Sequence, residues 1–107
     1  MAAIADPIQV RDYQMYIAGR WVDAENGAVS EVVDPSTEDV IARVPKATVG
    51  DAERAVRAAR EAFDHGPWPR MKAAERAALL GRAADKIRER ADELARLEGR
   101  QMGKLYS

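Results

Sequence analysis

At Pro45 this chain changes the kind of structure its pattern encodes. Upstream, short β-branched and aromatic runs alternate with turn residues; downstream, apolar residues recur at helical spacing in segments rich in alanine and arginine. Strands first and helices after read as an α+β piece.

The strand half is finely punctuated. Tyr16-Ile-Ala-Gly-Arg-Trp-Val22 reads as strand–turn–strand, with Gly19 free to take a positive φ and Trp21 as the apolar anchor of the returning strand. Asp23-Ala-Glu-Asn-Gly27 is a loop containing the turn dipeptide Asn26-Gly27. Strand character resumes near Val29–Val33, and Asp34-Pro35-Ser36-Thr37 predicts a turn whose short polar side chains bond nearby backbone. A strand over Val40–Val44 then ends at Pro45, which has no N–H for a ladder. Strict alternation puts Val40, Ala42 and Val44 on one face and Ile41 with Arg43 on the other. A two-stranded hairpin cannot cover both faces, so Ile41 predicts a partner surface.

The helical half starts clearly. Thr48 caps a first helix, and Asp51 three residues on makes a short-armed capping box. Ala52, Ala55, Val56, Ala59, Ala62 and Phe63 form one continuous stripe before His65-Gly66-Pro67 stops the helix. After the stiff Pro67-Trp68-Pro69 connector, a second helix runs from about Ala73 to Glu89, with Ala77, Leu80, Ala84 and Ile87 as its apolar set. Lys72 is a poor cap, so its start is weakly marked. A third helical segment spans about Ala91 to Met102, and the pattern leaves open whether it continues the second or breaks near Arg90.

Composition limits the core. With one Phe, two Trp and three Tyr, alanine supplies much of the apolar content of these 107 residues. Alanine buries little area, so the hydrophobic term is modest against chain entropy. Such helices suit close packing against something larger. The 17 basic and 18 acidic residues leave a net charge of −1, which offers no attraction to nucleic acid or anionic membranes. No apolar run reaches a membrane span, and Met1–Val10 lacks the features of a signal peptide. Zero cysteines exclude disulfides and thiolate metal sites within this sequence. A cytoplasmic location is the expectation.

Candidate sites read as structural. His65 is the only imidazole, with no patterned carboxylates to complete a metal site. Arg54, Arg57 and Arg60 line up like a phosphate stripe, yet acidic residues interleave with them, which predicts a self-neutralising solvated face. Asp92 or Glu93 can pair with Arg96 at helical spacing. Gly81, Gly99 and Gly103 make no pyrophosphate-seating loop. Ser30, Ser36 and Ser107 have no nearby base, and Trp68 reads as a packing anchor. Glu98 shares a face with Leu94, where a carboxylate calls for donors from another segment. No catalytic, cofactor-binding or metal residue is assigned.

Several pieces occur in a familiar order: Ile17-Ala-Gly-Arg-Trp21, Val33-Asp-Pro-Ser-Thr37 with Val40-Ile-Ala42, and Ala55-Val-Arg-Ala-Ala59 running to Ala62-Phe63. Trp68, Glu75-Arg76, Ala91-Asp-Glu-Leu-Ala95 with Glu98, and Gly103-Lys104 follow. From about Tyr13 to Lys104 the chain resembles the opening segment of NAD(P)-dependent aldehyde dehydrogenases. The resemblance implies two β-hairpins and two or three helices from the outer part of a Rossmann-type coenzyme domain. Residues 1–12 show no period and read as a flexible lead-in, while the resemblance makes residues 13–107 an incomplete coenzyme-binding domain. In that family a cysteine thiolate attacks the aldehyde, hydride passes to NAD or NADP, and a glutamate-activated water releases the acid while an asparagine helps hold the oxyanion. None of the residues here matches that cysteine, glutamate or asparagine, so the resemblance implies an amino-terminal portion that is inactive alone and binds no cofactor by itself. The partners it implies are the remainder of the dehydrogenase chain and, for the parent, further copies of itself. Nucleic acid and membrane are not expected. The alternative is a stand-alone α+β interaction module. Two positions depart from the family habit: Glu38-Asp39 stands where Gly-Glu is usual, and Leu105-Tyr106-Ser107 follows Lys104 where proline is common.

Overall fold

Among the described residues, five short strands precede three helices: β1 (Arg11–Asp12), β2 (Met15–Ile17), β3 (Arg20–Val22), β4 (Val29–Val33), β5 (Val40–Pro45), then α1 (Val49–His65), α2 (Ala73–Glu89) and α3 (Ala91–Met102). A 3-10 turn, Trp68–Arg70, joins α1 to α2. The structure is a computed structural model, and it describes residues 9–104.

β2 and β3 form the expected hairpin, pairing Met15 with Val22, Tyr16 with Trp21 and Ile17 with Arg20. Ala18 and Gly19 have φ values of 53° and 77°. Two positive-φ residues give the turn a twist that matches its strands, and Ala18 takes that conformation without glycine's freedom. The Tyr16 and Trp21 rings meet at 4.9 Å on the exposed face.

The second sheet is larger than the expected hairpin. β5 pairs antiparallel with β4 and parallel with β1, in the order β1-β5-β4. Arg11 lies opposite Ala42, Asp12 opposite Arg43, and the Tyr13 N–H donates to the Arg43 carbonyl at 2.9 Å. The last two residues of the predicted flexible lead-in are therefore a strand. Residues 1–8 of that stretch lie outside the described residues.

Ile41 also departs from expectation. Val32 pairs with Ala42 but Val33 pairs with Val40, so Ile41 is the extra residue of a bulge. The bulge breaks strict alternation and turns both Ile41 and Ala42 inward, each 4% exposed. This chain itself covers Ile41, and no external partner surface is needed there. With Ala24, these two are the buried apolar residues among those described.

That core is very small, and the shape follows from it. The radius of gyration is 17.8 Å, against about 13 Å for a compact domain of this size. Val56 and Phe63 on α1 are each 69% exposed, and Leu80 and Ile87 on α2 are also bare. The helical stripes are real, and nothing in the described chain covers them.

The helix boundaries have local causes. Thr48 and Asp51 complete the predicted capping box of α1, and the Gly66 N–H closes its other end on the Ala62 carbonyl. Lys72 has no acceptor to cap α2, but Glu75 supplies half a box by accepting the Lys72 N–H at 2.8 Å. At Arg90 the backbone leaves helical geometry, with φ −109° and ψ 15°, so α2 and α3 are separate. The Arg90 guanidinium then grips Glu93 with two hydrogen bonds of 2.9 and 2.8 Å. Glu93 also meets Arg11 of β1 at 3.6 Å. α3 ends on left-handed Gly103, where an added Cβ would come within 3.0 Å of Pro35 Cγ. Both ends of α3 thus touch the strand layer.

Candidate functional site

The densest polar constellation lies at the head of α1. Asn26-Gly27 bends the β3–β4 loop, with the Gly27 N–H on the Ala24 carbonyl at 2.8 Å, and this presents the Glu25 backbone to the helix. Asp51, 1% exposed, receives it: the Glu25 N–H reaches its two carboxylate oxygens at 3.2 and 3.3 Å. The same carboxylate accepts the Thr48 N–H at 2.9 Å, and the Arg54 guanidinium closes on its Oδ1. The Thr48 hydroxyl accepts the Asp51 N–H at 3.1 Å and has a single proton to give. Glu25 Oε1 lies 2.6 Å from that hydroxyl and Asp51 Oδ2 3.1 Å away, so the proton belongs to Glu25.

These donors hold the Asp51 carboxyl below its ordinary range. The Thr48 backbone N–H contributes most and Arg54 least, with burial opposing them. Beside the cluster, Ile17, Arg20, Val22, Asp23, Glu25 and Arg54 line a cavity of about 400 Å³. A wider depression of about 570 Å³ runs along Tyr13, Gln14, Ala28 and Arg43.

Chemically, the cluster fastens. The Asp51 oxygens are occupied by the chain's own donors, and the adjoining Thr48 hydroxyl gives its proton to Glu25. Nor do the helix heads fit a dinucleotide. A pyrophosphate needs open N–H groups and positive potential at a helix N-terminus. Here the first turn of α1 carries Asp51, that of α2 carries Glu75, and that of α3 carries Asp92 and Glu93. The described residues hold no cluster of three or more His, Cys, Asp or Glu that could bind a metal.

The residues singled out in the sequence stay apart. His65 Nδ1 sits 3.1 Å from Glu61 on the exposed end of α1. The three arginines of the supposed stripe are each neutralised by their own helix: Arg54 by Asp51, Arg57 by Glu53, and Arg60 by Asp64. Arg60 also lies over the Phe63 ring at 4.9 Å, and its bond to Asp64 raises its pKa further. Arg96 pairs with Asp92 at 3.0 Å, whereas Glu93 turns to Arg90, whose contact keeps the Glu93 carboxyl ionised below its usual range. Trp68 remains 43% exposed. Glu98 is exposed, so within this chain it needs no donors. Ser30 and Ser36 fall in β4 and in the β4–β5 turn. The residue that sequence reasoning missed is Glu25. Its signal was the turn dipeptide that follows it, which fixes where the Glu25 N–H points.

A profile of the Aldehyde dehydrogenase family matches residues 21–107. The chain belongs to the aldehyde dehydrogenase family. It is 43% identical over 98 residues to Aldehyde dehydrogenase family 2 member C4 of Arabidopsis thaliana, covering 92% of this chain and 20% of that one. An NAD-dependent aldehyde dehydrogenase from Sinorhizobium meliloti superposes with a TM-score of 0.85 at 42% identity, covering 90% of this chain and 20% of that chain. An aldehyde dehydrogenase from Bacillus cereus, in its NAD+ complex, does so with a TM-score of 0.79 at 46% identity, covering 83% and 18%. The chain therefore spans about a fifth of the length of these relatives. The α+β fold of this segment is the one those aldehyde dehydrogenases share with it over the matched residues.

Proposed function

We propose that this chain serves as the amino-terminal portion of an NAD(P)-dependent aldehyde dehydrogenase that oxidises an aldehyde to a carboxylic acid. Residues 13–107 form the outer part of a Rossmann-type coenzyme domain, with the nucleotide sheet supplied by the remainder of the enzyme. The parent is a cytoplasmic homo-oligomer using NAD or NADP. Alone, the segment neither turns over aldehydes nor holds the cofactor. The observation that carries this reading is the bare apolar stripe of α1, with Val56 and Phe63 each 69% exposed. Family membership supports the same reading.

The test pairs residues 1–107 with the remainder of a full-length family member lacking the matching segment. Co-expression should restore soluble, NAD(P)-dependent aldehyde oxidation that neither piece shows alone. A remainder that is fully active by itself and indifferent to the added segment would remove the buttressing role. Aldehyde-dependent NADH production by residues 1–107 alone, after host enzymes are cleared, would remove the inactivity.

A further inference from the structure

We propose that Asp51 is a positioning residue that sets the angle at which α1 presents its apolar face, by tying the helix to the β3–β4 loop as well as capping it. The functional value of that angle rests on the docking role proposed above. A capping box needs only the reciprocal bonds between Thr48 and Asp51. Asp51 does more, because its two oxygens also share the N–H of Glu25, 26 residues away in sequence.

The attachment is reciprocal. The Glu25 carboxylate folds back over the helix head and takes the Thr48 hydroxyl proton at 2.6 Å. Gly50 leaves the room for it: a Cβ there would lie 2.7 and 2.8 Å from the two Glu25 oxygens. Three positions at the helix head, the Thr48 hydroxyl, the bare Gly50 and the Asp51 carboxylate, are thus shaped to one loop residue. Arg54 faces Asp51 from α1, and Arg20 and Asp23 of the strand side share its cavity wall with Glu25.

Leverage makes the tie consequential. At 1.5 Å per residue, Phe63 sits roughly 18 Å along the axis from Asp51. A 10° swing at the head would therefore carry the Phe63 ring sideways by about 3 Å, enough to lose its seat in a packed interface.

The experiment uses the 107-residue chain in solution and is independent of any dehydrogenase remainder, so its failure would leave the proposed function standing. Amide exchange at Glu25 and residual dipolar couplings of α1 against the β4–β5 pair are measured in wild type, Asp51→Asn and Thr48→Ala. Asp51→Asn should speed Glu25 amide exchange roughly tenfold or more, the value of a charge-assisted hydrogen bond. It should also spread the angle of α1 while residues 54–63 stay helical. Thr48→Ala removes the 2.6 Å bond to Glu25 but keeps the Asp51 one, so it should fray the first turn and spread the angle less than Asp51→Asn does. An Asp51→Asn chain that frays α1 but keeps Glu25 protected and the angle fixed would reduce Asp51 to a cap and overturn the proposal. If Asp51→Asn unfolds the chain, wild type is titrated with acid instead. The Glu25 amide shift should then follow the Asp51 carboxyl shift with one midpoint, and separate midpoints would overturn the proposal equally.

Discussion

The two halves of this molecule are held in different ways. The strand layer and the head of α1 are joined by bonds between residues far apart in sequence, β1 to β5 and Glu25 to Asp51. The helices beyond are held mostly by their own neighbours, through pairs three or four residues apart such as Arg60–Asp64, Lys86–Glu89 and Arg88–Asp85. Such pairs keep a helix helical and soluble but fix it against nothing. Specificity of placement thus resides in the strand half, and surface for docking resides in the helical half.

The contrast predicts a large effect at Phe63, and one that depends on context. In the free chain the ring is exposed, so Phe63→Ala should change stability by no more than the Arg60 stack, about 0.5–1 kcal/mol. In the reconstituted enzyme the site should be filled, and the same change should weaken association by about 3–5 kcal/mol. Titrating one piece into the other and reading recovered activity measures the difference. Equal small effects in both settings would mean the stripe docks nothing.

Acid should separate the halves next. The folded-state pKa of Asp51 is depressed, chiefly by the Thr48 backbone N–H. Its contribution is therefore complete above the ordinary carboxylate range and is lost as pH falls through the lower folded value. Glu93, lowered chiefly by Arg90, follows the same sign. Hydrogen exchange read across that window should show the Glu25 and Thr48 amides opening before the β4–β5 ladder. Simultaneous opening of both would place the two halves in one cooperative unit.

A smaller effect concerns Glu38, which has a φ of 64° in the β4–β5 turn while its N–H bonds the Asp34 carbonyl at 2.8 Å. A left-handed L-residue costs about 1–2 kcal/mol, and glycine's extra chain entropy returns part of that. Glu38→Gly should therefore stabilise the turn by about 0.5–1 kcal/mol, visible as slower exchange of the Asp34 and Asp39 amides. Faster exchange would show that the Glu38 side chain offsets its own strain. Smallest is Arg88→Ala, which removes an exposed pair with Asp85 and should cost about 0.3–0.5 kcal/mol, fading with salt in helix-melting curves.

Local features were legible in the sequence, and long-range ones were not. The Thr48–Asp51 box, the α1 stop at His65-Gly66 and the Asp34-Pro35 turn depend on residues within a few positions of one another, so their chemistry fixes them. The break at Arg90 is a departure of one residue's backbone from helical geometry, and propensity is silent on that. Arg11-Asp12 carries no strand pattern because it borrows its order from β5. Ile41 was misplaced because alternation assumes an unbroken ladder, and a bulge shifts the count by one. Glu25 escaped notice because the Asn26-Gly27 dipeptide marks a turn but not the distant partner of the N–H it aims.

The seat of Gly103 against Pro35 bears on how the chain comes together in time. That contact closes a loop of about 70 residues, whose ends meet slowly compared with helix growth or hairpin zipping. α1, α2 and the β2–β3 hairpin depend on near neighbours and can form before it. The left-handed cap of α3 is therefore expected to close late, after the local elements have formed. Gly103→Ala should accordingly leave the folding rate nearly unchanged and quicken unfolding.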